Sequence, residues 1–398
     1  MNSKNATRRV PRSPRFKRVF AGVGVIAVMS WCGMVSLANS QDELAGASVS
    51  DAIHAVRSIG PEGAGFNDAG RAAERLRTLP GTRVFEVYEA MQDAGPVAQN
   101  WLRGIAGDIV RGSQPPTVVA IESYVLDESN SDVGRSTAMG LLRQLDSDRF
   151  DELLPGRLDD PSLLIREMAV AAKVKEFDGG KDSSIATVDE VRRVLESARH
   201  PVQVSNLIKK LDSMGETVTT ADAFSMIRQW RAIGPFDNRG GIGFDEAYAP
   251  EAKFEATGRV DLAATYDGKN GPVSWMALEA KGDDGKVDLA AAYDKEKGAA
   301  AYVYTEFESA IAADAQARLG CICASQAWVN GKQVMSNEVY HSGTRIDQYV
   351  ADIQLLSGTN RILLKICQNE QTQSWAQEWE FQFRVTDPTG KGLQSRVE

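Results

Sequence analysis

The apolar residues of the first half of the chain recur at the spacing of an α-helix. Across 48–221 they stand one, three or four positions apart, as in Trp101, Leu102, Ile105 and Ile109, which is the pattern of one helix face. Glycine and proline pairs interrupt this pattern repeatedly, and such pairs end helices. The pattern therefore predicts a series of short helices, each of about 10–15 residues.

The pattern changes near Trp230, where glycine becomes frequent and apolar residues begin to alternate with polar ones. Alternation with a period of two, bounded by turn residues, predicts β-strands. Asn330 and Gly331 form the dipeptide that most strongly favours a tight hairpin turn. Many short strands with such turns are typical of an antiparallel β-sandwich. The predicted strands are 228–233, 273–279, 300–308, 315–323, 326–330, 350–355, 361–368 and 378–386.

A weak internal repeat lies within the helical half. An Arg-x-x-Ala sequence begins at Arg135 and again at Arg166, 31 positions later (166 − 135 = 31), and an Asp-containing turn precedes each. This arrangement resembles HEAT-type repeats, in which the alanine lets stacked helices approach and the arginine reaches back to the acidic turn. The resemblance implies an α-solenoid, whose helix pairs bury their faces by stacking on neighbours. A plain helical bundle is the alternative.

The strand half resembles the galactose-binding-like jelly roll, the fold of sugar-binding domains in glycoside hydrolases and of discoidin-type modules. The resemblance rests on 327–332, with the sequence AWVNGK, and on 353–365, with the sequence IQLLSGTNRILLK. Asn-Gly suits the hairpin turn, and the aliphatic residues of the second segment suit a buried strand. The resemblance implies a sandwich fold, on which many different functions occur.

A longer resemblance joins the two halves. The segments 230–238, 243–245, 248–251 and 367–370 are similar to a signature of large exported bacterial proteins, which join a HEAT-like helical region to this jelly roll. The chain departs from that signature at Ala249, where a second proline is usual. The resemblance implies an α+β multidomain architecture and no particular activity.

The first 40 residues have the pattern of an export signal. A basic stretch that ends at Lys17 and Arg18 precedes 19–38, which carry no charge, and small residues at Ser36 and Ala38 would permit cleavage. About 20 apolar residues can also span a bilayer, so an uncleaved membrane anchor is the alternative. In both cases the basic end stays in the cytoplasm, and the body is periplasmic, secreted or part of the cell envelope.

Charge distinguishes this segment from the body of the chain. Residues 1–40 hold seven of the 45 basic residues and none of the 54 acidic ones, so the remainder has 45 − 7 = 38 positive charges and a net charge of 38 − 54 = −16. Such an acidic body argues against nucleic acid as a partner, and membrane contact is expected only through an uncleaved N-terminal segment. The predicted domains are 1–40 (signal or anchor), 45–222 (HEAT-like helices) and 225–398 (galactose-binding-like sandwich).

Two tryptophans near the C-terminus flank a polar, glutamine-rich segment. Trp375 and Trp379 are four positions apart, and Asn369 and Gln377 supply amide groups nearby. Aromatic faces recognise sugars by stacking, while amides hydrogen-bond to hydroxyl groups. These four residues are the candidate ligand-binding site, and packing of the tryptophans in a core or interface is the alternative.

A glycine-rich segment after the first predicted strand carries three side chains with oxygen ligands, Asp237, Asn238 and Asp245. Carboxylate and amide oxygens suit a structural Ca²⁺, the one cofactor that the sequence suggests. Aspartate and asparagine also form turns by hydrogen-bonding to their own backbone, and this is the other interpretation.

Three cysteines lie in the predicted exported body. Because Cys321, Cys323 and Cys367 are odd in number, at least one thiol is unpaired within the chain. They are interpreted as small buried apolar residues. The alternative is a disulfide from Cys367 to Cys321 or to Cys323.

The sequence contains no recognised catalytic motif. It has no G-x-S-x-G, H-E-x-x-H or P-loop sequence, and no nucleophile partner is visible beside His54, His200 or His341. We therefore expect a non-catalytic exported protein whose jelly roll binds carbohydrate or another cell-surface ligand and whose helical repeats bind protein. A purely structural component of the cell envelope is the alternative, and a glycoside-active enzyme ranks third.

Overall fold

The structure is a computed structural model that describes residues 48–178 and 186–396. The predicted export segment, 1–40, lies outside the described residues and stays a prediction. Within the described ranges, no helix is both long enough and apolar enough to cross a bilayer. The described chain combines α-helices with antiparallel sheets, so it belongs to the α+β class, as predicted.

The chain is helical up to Phe224, as the apolar spacing predicts. The described residues before this point form eleven α-helices joined by short turns and 3₁₀ segments. They are α1 (Val49–Arg57), α2 (Phe66–Leu76), α3 (Val84–Glu89), α4 (Pro96–Val110), α5 (Val118–Leu126), α6 (Asp132–Leu145), α7 (Ser147–Leu153), α8 (Leu163–Asp178), α9 (Val188–Ser197), α10 (Pro201–Ser213) and α11 (Thr220–Phe224).

Local hydrogen bonds determine where several helices begin. The side chains of Thr117, Ser131 and Thr187 accept hydrogen bonds from backbone N–H groups in the first turns of α5, α6 and α9. Glu190 completes a capping box with Thr187. Each cap occupies a backbone donor that would otherwise lack an intrahelical partner and contributes about 1 kcal/mol.

The two repeated arginines both bind the turn before α8. Arg135 is fully buried and donates from its two Nη atoms to the carboxylate of Asp160, at 2.9 and 2.8 Å, and from Nε to the carbonyl of Val125 at 2.8 Å. Arg166 donates from Nε to the carbonyl of Asp160 at 2.9 Å. Loss of one partner of a buried pair of this kind costs about 3–5 kcal/mol, so Arg135 ties α6 firmly to the next helical turn.

The remaining chain forms twelve strands within the described residues. They are β1 (Gln229–Asp237), β2 (Thr265–Gly268), β3 (Gly271–Ser274), β4 (Met276–Glu279), β5 (Val287–Asp288), β6 (Ala299–Ser309), β7 (Ala313–Cys321), β8 (Ala324–Val329), β9 (Lys332–Asn337), β10 (Tyr349–Leu355), β11 (Gly358–Gln368) and β12 (Glu380–Thr386). One sheet has the order β4-β1-β6-β11-β8-β9, a second has β10-β7-β12-β5, and β2 pairs with β3 alone. Every strand pairing among the described residues is antiparallel, and all eight predicted strand segments overlap observed strands.

The hairpin predicted at Asn330 and Gly331 is confirmed. Val329 of β8 pairs with Lys332 of β9, and the two residues between them have φ angles of 53° and 85°. Positive φ at both positions is what a two-residue type I′ turn requires. The side chain of Asn330 also accepts a hydrogen bond from the backbone N–H of Arg361 at 2.8 Å, which ties the turn to β11.

The six-stranded and four-stranded sheets share one hydrophobic core. Trp230 on β1 lies edge-on to Phe381 and Phe383 on β12, with ring centroids 5.1 and 5.9 Å apart. On β11, Ile362 and Leu364 belong to this core as well. The contacts of Trp230 therefore join one sheet to the other.

The opposite face of the six-stranded sheet is covered by two helices that the sequence did not predict, α12 (Ile242–Asp245) and α13 (Ala249–Thr257). Phe244 and Phe254 from these helices pack with Tyr302 and Trp328 from the sheet. The indole N–H of Trp328 donates to Glu255 at 2.8 Å. Burial on both faces explains why β11 has apolar residues at consecutive positions, 362–364, rather than in alternation.

A buried lysine joins this covering segment to the sheet. The ammonium group of Lys365 donates to the carbonyls of Phe244 and Glu246, at 2.9 and 2.8 Å, and lies 2.8 Å from the carboxylate of Glu251. Tyr302 donates to the same carboxylate at 2.6 Å. All three protons of the lysine therefore have an acceptor, which is the condition under which a fully buried ammonium is tolerated.

The last helix of the helical half, α11, contacts the four-stranded sheet directly. Arg384 on β12 donates to the carbonyl of Phe224 at 3.3 Å and lies 4.9 Å from the centre of its ring. Arg384 and Arg318 both pair with Asp347, which is mostly buried. Burial alone would raise the pKa of Asp347, but the hydrogen bonds and positive charges of the two guanidinium groups outweigh it and lower that pKa.

The three cysteines of the described residues are unpaired and buried, so the disulfide interpretation is wrong for this structure. Burial raises the pKa of Cys321 and Cys367 to about 12 and the pKa of Cys323 well above its ordinary value. The three thiols act as small core residues.

Candidate functional site

Three loops meet at one edge of the six-stranded sheet. β1 and β11 both pair antiparallel with β6, and β11 and β9 both pair antiparallel with β8, so β1, β9 and β11 run in the same direction. The register confirms this, because Asp237 and Gln368 both lie opposite Ala299. The loops that follow the three strands therefore emerge side by side. We call seven of their residues the Trp375 loop cluster: Asp237, Asn238, Arg239, His341, Asn369, Glu370 and Trp375.

Asn238 connects these loops from the inside. It is fully buried, and its amide N–H₂ donates to the carbonyl of Gln368 at 3.0 Å and to the hydroxyl of Tyr340 at 3.2 Å. On the outside, the backbone N–H of Gly240 donates to the carboxylate of Glu370 at 2.5 Å. These bonds hold the loops after β1, β9 and β11 together.

The carboxylate of Asp237 forms an ion pair with Arg239. Arg239 donates to this carboxylate at 2.8 and 2.5 Å, and the backbone N–H of Arg239 donates to it at 3.1 Å. The hydrogen bonds from Arg239 lower the pKa of Asp237 to about 2. The local bonds form an Asx turn, as the second interpretation of this segment expects.

The structure does not support the predicted cation site. Asp237 is paired with Arg239, the side-chain oxygen of Asn238 is buried without a hydrogen-bond partner, and Asp245 lies exposed on α12. Among the described residues, no group of three or more His, Cys, Asp or Glu side chains is placed to hold a metal ion. A Ca²⁺ ion at Asp237 would therefore have to displace Arg239 from its carboxylate.

Trp375 is the exposed aromatic residue of the cluster. Its side chain is 58% exposed and lies edge-on to the ring of His341, with centroids 4.9 Å apart and an interplanar angle of 84°. Nε2 of His341 is 3.1 Å from the side-chain oxygen of Asn369, while its Nδ1 is buried without a partner. The indole is therefore in contact with a ring perpendicular to it while much of its surface remains accessible.

The other predicted site residues have different roles. Trp379 is only 1% exposed, lies 5.5 Å from Tyr293, and donates to the carbonyl of Ile366 at 3.3 Å. Gln377 donates to the carbonyls of Thr372 and Gln373, at 2.7 and 2.9 Å, and so closes its own loop. Trp379 is thus a core residue, and its assignment to a ligand-contacting surface is corrected.

Sequence reasoning placed Asp237 and Asn369 in two separate sites, whereas the structure brings their loops together. It also missed His341 as a neighbour of Trp375, and Arg239 and Glu370 as partners of Asp237 and Gly240. The pairing order of β1, β6 and β11 brings these residues to one edge, and strand order is not readable from local spacing. The one local signal was the position of the polar residues directly after predicted strands.

Two of the larger open cavities lie elsewhere in the described chain. The larger, of about 820 Å³, lies between α6, α7 and α8 and has an apolar wall that includes Phe150, Leu154 and Met168. A second, of about 390 Å³, lies on β1 and β6 and is lined by Gln229, Arg231 and Glu306, among other residues.

Comparison with protein-family models found no match, and comparison with curated proteins also found none. Among solved structures, similarity was found to an anti-sigma factor domain-containing protein from Clostridium clariflavum, with 9% identity over 44% of this chain and 48% of that one, at a TM-score of 0.21. A beta-glucosidase from Kluyveromyces marxianus matches in two structures, one selenomethionine-labelled and one in complex with glucose. These have 9% and 10% identity, cover 65% and 60% of this chain and 36% and 33% of that one, and give TM-scores of 0.25 and 0.24. The chain spans about half the length of the first protein and about a third of the second, and such low TM-scores carry no conclusion about fold or function.

Proposed function

We propose that this chain is a non-catalytic, extracytoplasmic binding protein whose sandwich binds carbohydrate at the Trp375 loop cluster. The observation that carries the proposal is the exposed indole of Trp375, supported edge-on by His341 and bordered by the amide of Asn369. Stacking of a sugar ring on an indole, with hydrogen bonds from neighbouring amides, is the chemistry that such a surface can supply.

The architecture in this proposal is a galactose-binding-like jelly roll preceded by HEAT-like helices. Two antiparallel sheets around one core, with the Asn330–Gly331 hairpin, are in keeping with the jelly roll. The contact of Arg135 with Asp160, from one helix pair to the next turn, is in keeping with HEAT-like stacking. The apolar groove between α6, α7 and α8 is the surface on which we place protein recognition.

A purely structural role in the cell envelope is the second candidate, and one observation separates the two. A sandwich that acts only by packing would have its tryptophans buried, as Trp230, Trp328 and Trp379 are. Trp375 differs from these three, because most of its surface is open to solvent. This difference favours ligand binding over a packing role.

The test is retention of the purified chain on a panel of insoluble and soluble polysaccharides, with Trp375→Ala beside the wild type. We expect specific retention by the wild type and its loss in Trp375→Ala, because stacking is worth about 0.5–1.5 kcal/mol beyond the buried area. Phe66→Ala is the matched control, since Phe66 is a similarly exposed aromatic residue (54%) on the distant helix α2.

Each measurement is repeated with Ca²⁺ and with a chelator. Equal retention in both conditions is expected, because the Asp237 carboxylate is already paired with Arg239. Failure of the wild type to bind any polysaccharide at millimolar sugar concentration would contradict the proposal and leave the packing role.

A further inference from the structure

Two arginines line one pocket in the helical part, and neither forms an ion pair with a carboxylate among the described residues. The pocket measures about 220 Å³ and lies between α8 and the turn that joins α9 to α10. Its lining includes Arg166, Ser197, Arg199 and His200. The chain as a whole carries a net charge of −9. Two guanidinium groups in one pocket without an ion-pair partner therefore form a local positive patch in an acidic protein.

Comparison with the preceding turn shows what is different here. Arg135 faces the turn before α8, and Asp160 in that turn neutralises it with two hydrogen bonds. Arg166 is the repeated arginine, and it faces the turn before α10, where Arg199 and His200 stand instead of an acidic residue. The carboxylate of Asp160 is already used by Arg135, so it leaves only its backbone carbonyl for Arg166.

Arg166 is a buried cation with free donors. Its side chain belongs to a residue only 8% exposed, and its one hydrogen bond within the described chain runs from Nε to the carbonyl of Asp160. Neither Nη atom has a hydrogen-bond partner among the described residues. A guanidinium carries five N–H donors, and the Nη atoms of Arg166 are not among the buried atoms that lack a partner, so they remain accessible. An anion in the adjoining pocket would satisfy these donors.

Arg199 adds a second incomplete cation. Its Nη1 donates to the carbonyls of Glu196 and Ala198, at 2.6 and 2.9 Å, while its Nε is buried without a partner. Burial and the nearby charge of Arg166 lower the pKa of Arg199 to about 10. Asp387 has a favourable electrostatic effect on Arg199 but makes no hydrogen bond to it within the described residues.

The backbone at this point also favours an anion. His200 is the N-cap of α10, a helix of 13 residues, and its Nδ1 accepts from the backbone N–H of Val202 at 3.3 Å. Its Nε2 is therefore the ring atom that carries the proton and is left to donate. The positive end of the α10 dipole adds to this field. Glu167 is the one acidic residue of the lining, and its side chain makes no ion pair with either arginine.

We propose that this pocket binds one tetrahedral oxyanion, a sulfate or phosphate group that is either free or esterified on a larger ligand. Arg166 and Arg199 supply the paired charge-assisted donors that such a group requires. A water molecule's share of liquid volume is about 30 Å³, so 220 Å³ accommodates the oxyanion with several waters. This site is separate from the Trp375 loop cluster and does not depend on carbohydrate binding there.

The test is equilibrium dialysis of the full chain against radiolabelled inorganic phosphate and sulfate, with chloride used to hold ionic strength constant. The expected result is saturable binding of one anion per chain, weakened about tenfold or more in Arg199→Gln, since a lost charge-assisted bond of about 1.5–3 kcal/mol corresponds to at least that factor. Arg193→Gln is the matched control, because Arg193 lies on α9, six positions before Arg199, but is exposed and does not line the pocket. Circular dichroism checks that both variants fold.

A second arm identifies the source of the anion. Dextran sulfate that binds the wild type, competes with inorganic phosphate and fails to bind Arg199→Gln would assign an esterified group, with uncharged dextran as its control. Binding of the inorganic ions alone would assign a free oxyanion. The absence of saturable binding in both arms, or equal affinities of the wild type and Arg199→Gln, would overturn the proposal.

Discussion

Replacement of Lys365 by methionine tests the central packing feature of the sandwich. Lys365 is fully buried and makes contacts of 2.8–2.9 Å with two carbonyls and with the Glu251 carboxylate. In Lys365→Met, Glu251 would keep only the hydroxyl of Tyr302 as a partner. Breaking a buried ion pair by removing one partner costs about 3–5 kcal/mol, and we expect a loss of unfolding free energy in that range.

The assay is urea unfolding followed by tryptophan fluorescence, for the wild type, Lys365→Met, Glu251→Gln and the double variant. The double variant should lose less than the sum of the two single losses, because the partners are in direct contact. Lys253→Met is the control, since Lys253 and Asp261 are 3.6 Å apart and both about half exposed; such a pair is worth less than about 1 kcal/mol. A loss below about 1 kcal/mol in Lys365→Met, or strict additivity in the double variant, would refute this reasoning.

Two further predictions concern buried titratable groups. Iodoacetamide at pH 8 should leave Cys321 and Cys367 unlabelled in the folded chain and label them after denaturation, because burial raises the pKa of each thiol to about 12 and only thiolates react; rapid labelling of either native thiol, read by mass spectrometry, would disagree. Asp347→Asn should destabilise the chain by about 3 kcal/mol at pH 7, because it leaves Arg318 and Arg384 without their shared carboxylate. Since the folded-state pKa of Asp347 is lowered, the unfolded state binds more protons, and the difference between wild type and variant should shrink as the pH falls below about 3.9. A difference that does not change with pH in urea unfolding would count against this assignment.

Local pattern predicts most of the secondary structure because it depends on residues close in sequence. Apolar residues at strand spacing mark β6, consecutive apolar residues mark β11, and the Asn330–Gly331 dipeptide marks the turn between β8 and β9. The two-residue strand β5 and the four-residue strand β2 are too short to show a period. The helix α12 was missed because it spans only four residues within a glycine-rich segment, and α13 was missed because its nine residues show almost no helical spacing of apolar positions.

The candidate site could be predicted only in part. Trp375 and Trp379 are indistinguishable by sequence spacing, yet one is exposed and the other lies in the core. Trp379 directly precedes β12, and its side chain lies in the core between the sheets. Trp375 lies on a 3₁₀ turn in the preceding loop. The proximity of His341 to both Asn369 and Trp375 follows from the order of strands in the sheet, which depends on long-range pairing.

The most direct test of carbohydrate binding at the Trp375 loop cluster is a hydrogen–deuterium exchange footprint. The intact chain would be compared with and without the polysaccharide that retains it most strongly in the panel. We predict slower exchange in the loops 238–241, 338–342 and 369–377 and no change across α1 to α7. Protection confined to the helices, or no protection in these three loops at saturating polysaccharide, would contradict the proposed function.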